Sequence, residues 1–180
     1  MKKQVVLPLA LSLLFPLQSF AAETILSEVT LSFTNTGQTD RAVLMAGEED
    51  ADLYLYLGTP KGYSAPLIKK AFVYNGSMAG THPSLAVGRK GSLQVNSENI
   101  GVGRNHWEQT LTIVYRNHEF VIGGITYSSR DTLDPDAGGN CDLNLLTGKG
   151  TRNGKPVTVT LKPVRVTDWS DELLPKACQF

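Results

Sequence analysis

Thr110-Leu111-Thr112-Ile113-Val114-Tyr115-Arg116-Asn117-His118-Glu119-Phe120-Val121-Ile122-Gly123-Gly124-Ile125-Thr126-Tyr127 decides the fold class. Leu111, Ile113 and Tyr115 fall on one face of an alternating run, the period of a half-buried strand. Arg116 to Glu119 is a short polar turn, and 120–127 is a second β-branched and aromatic run. Two such runs joined by so short a turn read as an antiparallel hairpin.

The pattern repeats outward in both directions. Short apolar runs at 42–45, 53–57, 67–74, 85–87 and 93–95 precede the hairpin, and runs at 143–146 and 157–161 follow it. Gly, Asn, Asp and Pro separate them, the punctuation of turns. Val157, Val159 and Leu161 alternate with Thr158 and Thr160, while 148–155 is turn-rich. Helical periodicity is nearly absent; only 27–33 and 168–174 suit a helical turn or two. The expected fold is all-β and mainly antiparallel, a small propeller-like or barrel-like meander with short helical turns and one disulfide. Nothing in 22–180 marks a second domain or a long linker.

The start of the chain has a different character. Met1-Lys2-Lys3 is followed by an apolar run, 5–17, and then by Gln18-Ser19-Phe20-Ala21-Ala22. A positive end, a short apolar core and small residues at a cut form a secretory signal. Ser19 and Ala21 place the expected cut after residue 21. The run is too short to span a bilayer, which takes about 20 residues, and no later stretch is long and apolar enough to do so as a helix. The chain balances 17 basic against 17 acidic side chains, and loss of Lys2 and Lys3 leaves a formal charge of −2. Nucleic-acid binding needs a clustered positive surface and is not expected. A monomeric protein without a membrane anchor, periplasmic or secreted, is the expectation. In that setting the lone pair Cys141 and Cys178 reads as a disulfide. It closes a loop of about 37 residues, worth roughly 4 kcal/mol by loop entropy.

Candidate chemistry is sparse. Asp131, Asp134, Asp136, Asn140 and Asp142 present oxygen ligands at spacings that can aim at one centre, a candidate calcium site with Gly139 at the turn. Leu145 stands where a bidentate Glu would serve. His82, His106 and His118 are dispersed, without a zinc-protease spacing. Gly76-Ser77-Met78-Ala79-Gly80 misplaces the Ser of a nucleophile elbow. Gly148-Lys149-Gly150-Thr151 lacks the spacing of a phosphate loop. Glu98, Glu108 and Glu119 offer carboxylates, but spacing selects no pair of them for glycoside chemistry. No enzyme is read from the chain. Trp107 and Trp169 suit core or lid positions, or sugar stacking if exposed.

Ser32-Phe33-Thr34-Asn35-Thr36-Gly37-Gln38-Thr39-Asp40 and the strand after it resemble the loop-plus-strand unit of FG-GAP and VCBS-type β-propeller repeats. Ser32, Thr34 and Thr36 stand where that unit carries acidic calcium ligands, so the loop is read as structural. With 106–149, closing on Asp142-Leu143-Asn144-Leu145-Leu146-Thr147-Gly148-Lys149, the chain looks like a family of small exported bacterial proteins. Some proteins of similar layout are periplasmic lysozyme inhibitors or immunity proteins. The resemblance implies a non-enzymatic binder of a peptidoglycan hydrolase in the cell envelope. Thr147, Gly148, Lys149 and Arg152 would then plug the acidic cleft of that enzyme. The alternative is a calcium- or glycan-binding envelope module.

Overall fold

A computed structural model describes residues 24–34, 36–134, 136–160 and 162–180. The expected signal segment, 1–21, lies outside them, as do Asn35, Pro135 and Leu161. The chain forms two antiparallel sheets around one core. The first has the order β1 (Ile25–Leu31), β2 (Asp40–Ala46), β3 (Asp50–Tyr56) and β6 (Leu67–Tyr74), with a two-strand excursion, β4 (Gly58–Thr59) and β5 (Gly62–Tyr63), between the last two. The second runs in sequence from β7 (Ser84–Val87) through β8 (Leu93–Asn99), β9 (Asn105–Arg116), β10 (Glu119–Asp131), β11 (Gly138–Asn144) and β12 (Lys149–Arg152) to β13 (Lys155–Thr158). The short β14 (Val164–Arg165) pairs with β10 at Val121 and Ile122.

The deciding hairpin is β9 and β10, in register from Glu119 with Arg116 to Asp131 with Asn105, interrupted by one irregularity at Gly123. Its turn is two residues, Asn117 and His118, at φ 51° and 64°. Positive φ at both centres matches the right-handed twist of the flanking strands. Leu111, Ile113, Ile122 and Ile125 are buried, and they meet Leu44, Leu53 and Leu55 of the first sheet in one cluster. The meander is therefore the expected one, but the sheets are not closed into a barrel. Where β1 lies beside β7, the Leu85 N–H donates to Ser27 Oγ at 3.0 Å instead of entering a strand ladder.

Residues 27–33, expected to suit a helical turn, belong largely to β1. Pairing with β2 overrides the weak local preference, and Arg41 grips Glu28 across it through two bonds of 2.8 Å. The loop that follows is held by a buried carboxylate. Asp40 accepts from the Phe33 N–H at 2.6 Å and from the Gly58 N–H at 2.7 Å. Strand β13 stops earlier than its sequence pattern, at Thr158.

After β14 the chain makes single 3-10 turns at Val166–Asp168, Asp171–Leu173 and Lys176–Cys178. In this tail the first of these turns packs against β6 and β10, and the last against β11. Val166 and Trp169 are buried in the common core, and the Trp169 indole N–H has no acceptor among the described residues. Cys178 is bonded to Cys141 of β11.

Candidate ligand cleft

The five oxygen residues of the expected calcium site do not converge. Asp131 is held by Arg104, whose Nε donates to its carboxylate at 2.7 Å, and it also accepts from the Leu133 N–H at 2.8 Å. Arg104 first, and that backbone bond second, keep its carboxyl below the usual carboxylate range. Asp134 is turned back onto the Asp136 N–H at 3.2 Å, and the Asn140 N–H is bound to Asn153 Oδ1 at 2.8 Å. Asp142 sits mid-strand opposite Thr126. Five steps along the strand separate that position from Asp131, roughly 17 Å at the rise of a strand, whereas calcium ligands sit about 2.5 Å from the ion. Alternation on β11 sets Asp142 on a ladder that the loop does not reach. Among the described residues no group of three His, Cys, Asp or Glu side chains could hold a metal ion.

The expected plug is built into the sheet. Thr147 and Gly148 form the turn between β11 and β12, where Asn144 Oδ1 accepts from the N–H groups of Leu146 and Thr147, both at 3.0 Å. Gly148 is buried at φ 69°, and a Cβ there would strike the Val159 carbonyl. Arg152 faces the tail. It donates to the carbonyls of Ala177 at 2.7 Å, Gln179 at 3.0 Å and Lys176 at 3.1 Å, and its guanidinium lies 4.2 Å from the centre of the Phe180 ring. Gly139 of β11 lets that ring close down, since a Cβ would occupy its edge. Of the four plug residues, Thr147 and Lys149 present exposed side chains.

Two clefts open at opposite ends of the gap between the sheets. One, of about 330 Å³, is lined by Leu57, Leu67, Tyr115 and Phe120 with His118, Glu119 and Arg165 at its edge. Its charges are matched within the protein: Arg165 pairs with Asp168 at 2.7 Å and with Glu119 at 3.9 Å.

The other cleft, of about 150 Å³, is lined by Trp107, Gln109, Tyr127, Asp171 and Leu174. Trp107 and Gln109 lie on the same face of β9 as Leu111 and Ile113, at the end where the core runs out. Tyr127 opposes Gln109 on β10. The Trp107 and Tyr127 rings are stacked, with centroids 6.3 Å apart and planes 19° from parallel. Tyr74, at the end of β6, meets Trp107 edge-on at 5.8 Å. Gln109 is 6% exposed, an amide on an otherwise apolar floor. The tail supplies the remaining wall with Asp171 and Leu174.

The electrostatics of this cleft are unbalanced. Asp171 touches solvent at the mouth, yet the protein around it strips much of its hydration, and this raises its pKa. The nearby negative charge of Asp50 adds to the rise, and the Gln109 amide opposes it. Burial first, and then Asp171, raise the Tyr127 hydroxyl as well. Among the described residues no ion pair involves Asp50 or Asp171.

Glu98 and Glu108, which spacing alone could not single out, prove to be direct cross-strand partners on β8 and β9. They share the outer face with His82, while Glu119 lies at the far end of β9 and β10. Tyr127 and Gln109 could have been read as site residues from the sequence, because both continue the apolar face of the hairpin. Asp50, Tyr74, Asp171 and Leu174 could not, since only the fold brings them there. No family model, curated protein or solved structure matches this chain.

Proposed function

We propose that this chain works outside the cytoplasm as a non-enzymatic binding module of the cell envelope, and that its ligand enters the cleft between Trp107, Tyr127 and the tail. One observation carries the reading. At one of the two open ends of the two-sheet core, two stacked aromatic rings, a buried amide and a carboxylate with no ion pair among the described residues share one small cavity. Such a mixture, mostly apolar with a few fixed polar groups, is the lining of small-ligand sites, and a cavity of about 150 Å³ suits a compact group of a few heavy atoms. The disulfide supports an oxidising location.

The hydrolase-inhibitor reading now rests on Lys149 and Thr147, because Arg152 and Gly148 serve the fold. Chemical-shift mapping separates the two. Soluble envelope components should perturb the amides of Trp107, Gln109, Tyr127 and Asp171. A lysozyme-type hydrolase that perturbs Thr147 to Lys149 instead, with the cleft silent toward every component, would overturn the proposal in favour of the inhibitor.

A further inference from the structure

Resting on that cleft, the geometry points to its ligand class: we propose that it binds a quaternary ammonium group, with Trp107 and Tyr127 as its aromatic walls and Asp171 as its counter-charge. Aromatic faces attract cations through the ring quadrupole, most strongly where water is excluded. A quaternary ammonium has no N–H to donate. It therefore needs polarisable faces and a diffuse negative field, and little directed hydrogen bonding.

The cleft offers that combination. Its lining contains no Lys or Arg, so nothing in it neutralises Asp171. The fold already disfavours the charged form of Asp171, a cost that a bound cation relieves. Leu174 closes the wall with hydrocarbon suited to methyl groups.

The group can arrive as a free solute or as the choline headgroup of a lipid. Titrating the oxidised protein with choline, and separately with 3,3-dimethyl-1-butanol, its uncharged carbon analogue, tests the charge requirement. Trp107 is partly exposed and Trp169 fully buried, so a saturable change in tryptophan emission reports on the cleft. Choline should bind at least tenfold more tightly than the alcohol. Asp171→Asn, at an exposed tail position, should weaken choline binding about tenfold and leave the alcohol unaffected. Trp107→Phe should retain part of the affinity and Trp107→Leu should lose it. Sedimentation with phosphatidylcholine vesicles, against phosphatidylglycerol vesicles, then identifies the source: binding to the former assigns a headgroup, and binding of free choline alone assigns a solute.

Equal affinity for choline and the alcohol, absence of saturable choline binding, or an Asp171→Asn variant that binds choline as before overturns the proposal. If choline fails while another envelope component shifts Trp107 and Tyr127, the binding module stands and only the ligand class falls.

Discussion

Replacing Arg152 by alanine separates two roles that the sequence leaves open for it, partner plug and internal clamp. In the structure its guanidinium makes one part-buried bond, to the Ala177 carbonyl, and two exposed bonds, to Lys176 and Gln179. A part-buried hydrogen bond from a charged donor contributes about 1.5–3 kcal/mol. The exposed pair adds little, because water replaces the lost donor. Stacking on Phe180 adds about 0.5–1 kcal/mol. Arg152→Ala should therefore cost about 2–4 kcal/mol in urea unfolding of the oxidised protein, summing these contributions. Arg152→Lys keeps the charge but loses the planar fork that reaches separate carbonyls, and should recover less than half of the loss. The tail is also held by Cys178, two residues from Phe180, so the two restraints should couple. In a Cys141→Ser, Cys178→Ser background the Arg152 effect should differ from its effect in the oxidised chain by more than about 0.5 kcal/mol, the usual margin of additivity. An Arg152→Ala variant within about 0.5 kcal/mol of the parent, the range of ordinary surface changes, would refute the clamp and return Arg152 to the surface.

Four further outcomes are expected. Removing the disulfide by the double serine change should cost up to roughly 4 kcal/mol of unfolding free energy, with the tail the first segment to lose amide protection; a chain equally stable without it would contradict the entropic argument. His118→Gly should raise the unfolding free energy by about 0.5–1 kcal/mol, because glycine adopts φ 64° without the steric cost that histidine carries; a lower unfolding free energy would show that the edge contact of His118 with Tyr115 outweighs it. Glu108→Gln should stabilise by about 0.2–1 kcal/mol by removing the repulsion of Glu98 across the ladder, an effect that fades in high salt and whose persistence there would argue against electrostatics. Asp171→Asn should flatten the pH dependence of stability. The folded state raises the Asp171 pKa, so it binds the proton more tightly than the unfolded chain. Stability then falls as pH rises from the unfolded carboxylate value through the raised one, and the asparagine variant should lose that slope; an unchanged slope would place its origin elsewhere.

The legible parts of the fold are those set by local chemistry. The alternation of Leu111, Ile113 and Tyr115 across a polar turn from Phe120, Ile122 and Ile125 fixes β9 and β10 without reference to anything distant. A lone cysteine pair, in a chain whose start reads as an export signal, points to the staple. What failed was long-range. Residues 27–33 carry a weak helical preference, and only the docking of β1 on β2 reverses it. The acids of 131–142 look convergent because a list of residues hides the alternation of a strand, which here carries Asp142 onto a ladder far from Asp131. Arg152 looked like a free cation because its acceptors are backbone carbonyls of the tail, and carbonyls carry no sequence signal. The same limit concealed the cleft: half of it is strand, continuing a face already visible as apolar, and half is tail.

That division gives the disulfide a second consequence beyond stability. Asp171 and Leu174 reach the cleft from a segment of single 3-10 turns, which has no ladder of its own to hold it in place. Its position is set at both ends, by Val166 and Trp169 sunk in the core and by Cys178 and the Arg152 clamp fixed to β11 and β12. Between those anchors the tail holds Asp171 in the cleft beside Tyr127. A carboxylate held in place by the fold is preorganised for a cation, since the cost of positioning it is met by folding and not by the ligand. The cleft and the fastening of the tail are thus one design: the core sets the aromatic walls, and the staple keeps the counter-charge where an unrestrained tail would carry it away.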